Sequence, residues 1–312
     1  MASKGVPFFS VKRNVVFTAV FYTFLWGSAF PLVKLCMEAF GIADTDNMSK
    51  CLLAGVRFAV SGVFTLLWCA LTDKSGLRLQ SKKQCVTVLG YGLLATSLQY
   101  AFTYIGLSRI DGSKGAVFDQ LCVFVIVLLG GLFFKSDKLT LFKILGCLLG
   151  FAGVIVINIE GLSFDFSLGG EGVMLLAVAC QSAAYFVAKG CAGDISAPKL
   201  VGYGQAVGGV LLCAFALLRG GRLHFVKPVT AVWTLLALIM ISAVAYVLSL
   251  MPLKYFPASE ISSFNLLITV FGVVMSAAVL GENILKWNYA ASLLLIIFGI
   301  LLINRTERKA NQ

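Results

Sequence analysis

The feature that most constrains this chain is a series of ten long apolar runs separated by short polar loops. They cover about 14–38, 48–72, 84–108, 112–134, 140–158, 169–190, 197–218, 229–256, 259–280 and 286–304. Each is near the roughly 20 residues that a helix needs to cross a bilayer. Only 12 % of the 312 residues are charged and the mean hydropathy is +0.94. That is about half the charge of an ordinary soluble domain, too little to coat a water-facing surface. Lipid is therefore the solvent for most of the chain. A backbone in lipid must satisfy its own hydrogen bonds, and these runs are far too long for barrel strands. The expected fold is an all-α membrane protein of ten transmembrane helices.

The net charge of +11 does not imply nucleic-acid binding, because the basic residues sit in short loops and at the two ends. Lys12, Arg13, Lys74, Arg78, Lys82, Lys83, Lys135, Lys138, Lys143, Arg305 and Arg308 would share one side. Fewer lie opposite, with Arg219, Arg222 and Lys227 as the main exception. The bias puts both termini in the cytoplasm and suits contact with anionic membrane lipids. Met1–Arg13 carries no cleavable signal pattern, so the first run is expected to stay as a helix. Short loops and the missing signal suit a bacterial inner (plasma) membrane. The nine cysteines form no metal or redox motif and His224 stands alone, so no metal and no cofactor are expected. Cys36 and Cys51 flank one predicted outer loop and could pair in an oxidising compartment.

The chain repeats itself. Shifted by 146 residues, the stretch from about 93 to 158 overlays 239 to 304 without a gap. Tyr100 meets Tyr246, Ser113 meets Ser259, Phe118 meets Phe264, Gly153 meets Gly299, and Ile157-Asn158 meets Ile303-Asn304. Earlier, Leu25–Lys34 resembles Cys180–Lys189, both ending in lysine. The divisions are a cytoplasmic segment (1–13), a first five-helix repeat (14–158), a second (169–304) and a cytoplasmic tail (305–312). Five helices is an odd number, so the second repeat must be inverted. Inverted repeats are the architecture of alternating-access transporters, with the substrate site near the midplane between them.

These residues resemble the drug/metabolite transporter superfamily, in its EamA-like ten-helix branch. Trp26–Phe30 (WGSAF) is similar to the family's opening motif. The arginine of Gly55–Gly62 matches its second-helix arginine, Pro257–Asn283 its ninth helix and terminal glutamate, and Gly299–Asn304 its last helix. The resemblance implies export of amino acids or other small metabolites; relatives move nucleotide-sugars or triose phosphates. Two features depart from the pattern. Val123 and Thr269 stand where the family has prolines. The first-half glutamate corresponds to Ser136 or Asp137, while Glu282 is intact.

Charges inside the apolar runs are costly and each needs a reason. Arg57 and Asp119 lie about 13 Å and 10 Å from the outer ends of their helices, at about 1.5 Å per residue. The matched depths point to an Arg57–Asp119 ion pair acting as an outer gate or anchor, with Lys34 able to join it or snorkel outward. Packing of Arg57 against backbone carbonyls is the plainer alternative. Asn265, the repeat partner of Asp119, and Gln205, near the position of Arg57, form a neutral inner counterpart. Trp26, Gln99, Tyr100, Gln120, Gln181, Tyr185 and Tyr246 complete the candidate pathway; each alone could be a packing residue.

An enzyme is excluded by the lack of any His, Ser–His or paired-Asp constellation. A channel would show a filter or ring of charges. The expected function is secondary-active or facilitative transport of a small metabolite such as an amino acid. A nucleotide-sugar or phosphate-ester exchanger is the runner-up, and a non-transporting structural membrane protein is the rival of another class. The expected partners are a small-molecule substrate and lipid, with a homodimer left open.

Overall fold

The computed structural model describes residues 7–72, 76–110, 112–157, 159, 166–280 and 287–305. Among them the chain is all helical, with ten spans. These are α1 (Lys12–Ala39), α2 (Asn47–Thr72), α3 (Lys82–Leu107), α4 (Gly112–Phe133), α5 (Leu141–Ile157), α6 (Leu168–Cys191), α7 (Ala197–Leu218), α8 (Pro228–Lys254), α9 (258–280) and α10 (Trp287–Arg305). Nine are long and apolar enough to cross a membrane. The tenth, α5, has 17 residues and so spans about 25 Å, near the lower limit for a bilayer core. An even number of spans puts the start of α1 and the end of α10 on one side, called here the terminal face.

Local chemistry sets several helix ends. Ser81 accepts the Gln84 amide at the start of α3, Thr140 the Lys143 amide at the start of α5, and Asp46 the Ser49 amide at the start of α2. Each satisfies a donor that the first helical turn leaves without a partner. Gly41 takes a φ of +63° just beyond α1, a left-handed turn that a side chain would strain.

The packing obeys a pseudo-twofold. α1 of the first half packs on α8 and α9 of the second, while α6 of the second packs on α3 and α4 of the first. The helices that cross-pack on their own repeat partners are α2 with α7 and α5 with α10. Small residues make both approaches close. Gly55 and Gly62 on α2 have the spacing of Gly202 and Gly209 on α7, and they meet crosswise. A Cβ on Gly62 would lie 2.2 Å from the Ala206 nitrogen, and one on Gly209 2.3 Å from the Ala59 nitrogen. At α5–α10 a Cβ on Gly146 would lie 2.6 Å from the Gly299 oxygen, and Ser292 donates to the Gly153 carbonyl at 2.7 Å. Glycine to its repeat partner's neighbour, twice over, is what an inverted repeat produces when its two copies face each other. With five spans each, the halves cross the membrane in opposite senses.

The halves are not identical in detail. α3 contains a π-helical turn at Leu93–Leu98, whereas the matching turn of α8, 239–244, is regular α-helix. α9 contains a 3₁₀ turn at Phe264–Leu266, whereas the matching part of α4 is regular. Irregular turns of this kind often sit beside functional sites.

The cysteine expectation is overturned. Cys36 and Cys51 are both buried and both free. Cys36 packs with Ala39, Phe40 and Leu53, while Cys51 faces Phe58 and Leu212, so the two thiols belong to different parts of the core. Glu282 and Asn158 lie outside the described residues, as does the side chain of Ser113.

Candidate functional site

The centre of the molecule is an aromatic and polar cluster built from α1, α2, α3, α7 and α8. Tyr100 and Tyr246, repeat partners 146 residues apart, meet hydroxyl to hydroxyl at 2.9 Å. The pseudo-twofold axis therefore passes through this hydrogen bond. Trp26 of α1 stands edge-on to Tyr246 at 5.0 Å between ring centroids and to Tyr22 at 5.4 Å. Phe58 of α2 leans on Tyr100 at 4.5 Å and meets Tyr246 edge-on at 6.0 Å. Tyr104, one turn beyond Tyr100, closes the row at 6.3 Å.

A polar layer lies beneath the rings. Arg57 is only 7 % exposed; its Nε donates to the Ser242 hydroxyl at 2.6 Å and its guanidinium sits 5.0 Å from the Phe58 ring centroid. Ser61 donates to Gln205 Oε1 at 2.8 Å, and Gln205 Nε2 reaches the Ser242 carbonyl at 3.4 Å. Ser242 thus links Arg57 to Gln205 across α2, α7 and α8. A second link runs from Tyr22 to Asn265: the Tyr22 hydroxyl stands 3.2 Å from Asn265 Oδ1, on the 3₁₀ turn of α9.

The expected Arg57–Asp119 ion pair is not formed. Arg57 turns toward Ser242, and Asp119, half-buried on α4, makes no hydrogen bond or ion pair among the described residues. Both nevertheless lie beside the aromatic cluster: Ser242, which holds Arg57, is one turn before Tyr246, and Val117 and Val123, flanking Asp119, pack in one core cluster with Tyr22 and Ala245. Lys34 joins neither; it is exposed near the far end of α1. Gln205 is likewise no separate inner counterpart, since Ser242 ties it to Arg57. Gln99 and Gln120 are buried and Gln181 is half-buried, and none of the three makes a side-chain hydrogen bond among the described residues. Tyr185 packs beside Cys122 and Val178, and its buried hydroxyl has no partner among the described residues.

A second polar cluster, missed from sequence, sits at the terminal face. Asp137, fully buried, holds Lys143 Nζ at 2.7 Å and accepts the Ser259 amide at 2.8 Å and the Ser259 hydroxyl. The α4–α5 loop thereby caps α9. Lys143 is not the loop cation the charge count takes it for; it is 1 % exposed, inside the first turn of α5. Nearby, Lys12 pairs with the buried Glu260 at 2.6 Å, and Lys189 donates to the Leu253 and Phe256 carbonyls at 2.6 Å each. Ser242, Ser61, Phe58 and Tyr22 were also missed. A hydroxyl in an apolar run leaves no periodic mark, although Tyr22 stands one helical turn before Trp26. Among the described residues no group of His, Cys, Asp or Glu could hold a metal.

This architecture has known counterparts. A solved crystal structure covering 93 % of this chain and 98 % of its own superposes with a TM-score of 0.75 at 17 % identity, a likeness of fold. An uncharacterized transporter of Bacillus subtilis, YvbV, is 27 % identical over 96 % of this chain and 94 % of its own length. A protein of Salmonella typhimurium named a probable amino-acid metabolite efflux pump is 23 % identical over 96 % and 99 %. The EamA-like transporter family matches twice, over residues 13–159 and 168–305. Ten helices in two repeated halves and this double match make the chain a member of the EamA-like transporter family, within the drug/metabolite transporter superfamily, and a multi-pass membrane transporter rather than an enzyme.

Proposed function

We propose that this transporter exports a small, partly apolar metabolite such as an amino acid across a bacterial plasma membrane, by alternating access between its two halves, with both termini in the cytoplasm. The observation that carries this reading is the cluster on the repeat axis. Trp26, Phe58, Tyr100 and Tyr246 supply aromatic surface. Arg57, Gln205 and Asn265 supply polar groups between the halves, where inverted-repeat transporters bind their cargo. The efflux-pump name of the Salmonella relative supports the substrate class and the direction.

A nucleotide-sugar or phosphate ester would need several cations around the cargo. Lys34 is exposed and Lys189 is held by two carbonyls, so neither adds charge beside Arg57. The test is counterflow into proteoliposomes of purified protein, with labelled amino acids, nucleobases and sugar phosphates. Saturable exchange of amino acids alone is the expected result; exchange of sugar phosphates alone would replace this reading with the anionic one.

A further inference from the structure

We infer that Arg57 and Asp119 are the two poles of one binding site for a zwitterion, with the guanidinium taking a carboxylate and the Asp119 carboxylate taking an ammonium group. The inference rests on the proposed transport of a small metabolite and says which atoms hold it. The starting point is that both groups lie within membrane-spanning helices and neither is neutralised by the other. Arg57 spends one nitrogen, Nε, on Ser242, and that is its single hydrogen bond among the described residues. Its two terminal nitrogens remain, a planar fork whose geometry fits a carboxylate. Asp119 keeps both carboxylate oxygens without a protein donor among the described residues. An unpaired charge at this depth is expensive, and such residues usually face a pathway and its cargo.

Placement makes the two charges one site rather than two. Arg57 binds Ser242, one turn before Tyr246 on α8. Val117 and Val123, on either side of Asp119 on α4, share a core cluster with Tyr22 and with Ala245, the neighbour of Tyr246, and Trp26 packs against that cluster. The Tyr100–Tyr246 hydrogen bond that marks the repeat axis lies in the same region. A cargo on that axis would meet a cation on α2, an anion on α4 and aromatic walls from Trp26 and Phe58. The repeat partner of Asp119 is Asn265, a neutral amide already engaged with Tyr22, so the second half offers no competing anion at the equivalent position. A bare anion would use the Arg57 pole and leave Asp119 repelling it; a bare cation would do the reverse. A molecule with both charges satisfies both.

The experiment is counterflow in proteoliposomes with the full chain, using the twenty common amino acids, then the N-acetyl and methyl-ester derivatives of those that move. The wild type should move amino acids and discriminate against both derivatives. In Asp119→Asn, KM for the amino acid should rise about tenfold or more, the size of one lost charge-assisted hydrogen bond, while KM for the N-acetyl derivative should not rise. In Arg57→Gln, the amino acid should suffer similarly while the methyl ester should not. Arg57→Gln also removes the bond to Ser242, so thermal stability in detergent is measured for both variants, and Asp119→Asn decides alone if Arg57→Gln unfolds. Amino-acid exchange that is unchanged in folded Asp119→Asn, or that falls equally for all three ligand forms, would overturn the two-pole site and leave the transport reading standing. A folded wild type that moves no amino acid would overturn both.

Discussion

Lys34 and Lys189 close the same repeated segment in the two halves, yet they do different things. Lys189 ends α6 by plugging two carbonyls where α8 gives way to α9, at Leu253 and Phe256. The repeat partners of those two residues are Leu107 and Ile110, and Lys34, exposed, does not bind them. The same contrast runs through the neighbouring helices. Ala258–Phe264 at the start of α9 is buried throughout, capped by Asp137 and fastened to α1 through Lys12–Glu260. The corresponding start of α4 leaves Ala116 and Phe118 half-exposed. A repeat in sequence is therefore not a symmetry of state. The ion pairs of Asp137 and Glu260 lie on the terminal face, and the start of α4, on the far side, stays the more accessible.

The contrast can be broken hardest at Asp137. Replacing it with alanine strands the buried Lys143 charge and uncaps α9, and should cost about 3–5 kcal/mol, read as a large fall in the melting temperature of the detergent-solubilised protein. A double replacement, Asp137→Leu with Lys143→Leu, should recover much of that loss, because an apolar pair carries no desolvation penalty. Next in size is Gly62→Leu on α2, which forces the side chain into the Ala206 backbone. It should cost about 1–3 kcal/mol, and Gly209→Leu should match it if the axis is a true twofold at this interface. Lys189→Met should then cost about 1.5–3 kcal/mol, the value of hydrogen bonds made by a charged group. It should also speed alkylation of a cysteine placed at Ser262 in a cysteine-free background. Tyr100→Phe and Tyr246→Phe should each cost about 0.5–1.5 kcal/mol, and their double variant should cost no more than either, since both remove one bond. Lys34→Met should change stability by less than about 0.5 kcal/mol; a loss as large as that of Lys189→Met would erase the contrast.

The ten spans were legible because lipid imposes one demand along the whole chain, and the helix ends agree with the polar breaks to within a few residues. The repeat partnership of Tyr100 and Tyr246 was legible too, and the structure turns that alignment into a hydrogen bond. The direction in which Arg57 points was not. Depth along a helix suggested Asp119 as its partner, but depth says nothing about which face of the helix a side chain occupies, and Ser242 claims its Nε instead. Lys143 misled for a related reason. Three residues beyond a polar loop it counts as a loop charge, and only the folded chain shows that Asp137 doubles back to meet it inside. Short-range pattern finds elements; the partner of a polar side chain is a matter of three-dimensional packing.

The hydroxyl contact between Tyr100 and Tyr246 has a consequence for how such a chain can change. A residue that touches its own repeat partner across a twofold axis stands where, in a pair of identical subunits, one residue would touch its own copy. In such a pair every substitution there strikes both sides at once. Once the copies share one polypeptide, the two sides can drift apart. The divergence between the halves, with aspartate in one matched to asparagine in the other and an exposed lysine matched to a bound one, is the freedom that fusion grants. A membrane carrier made of two equal parts can in this way become one with a direction.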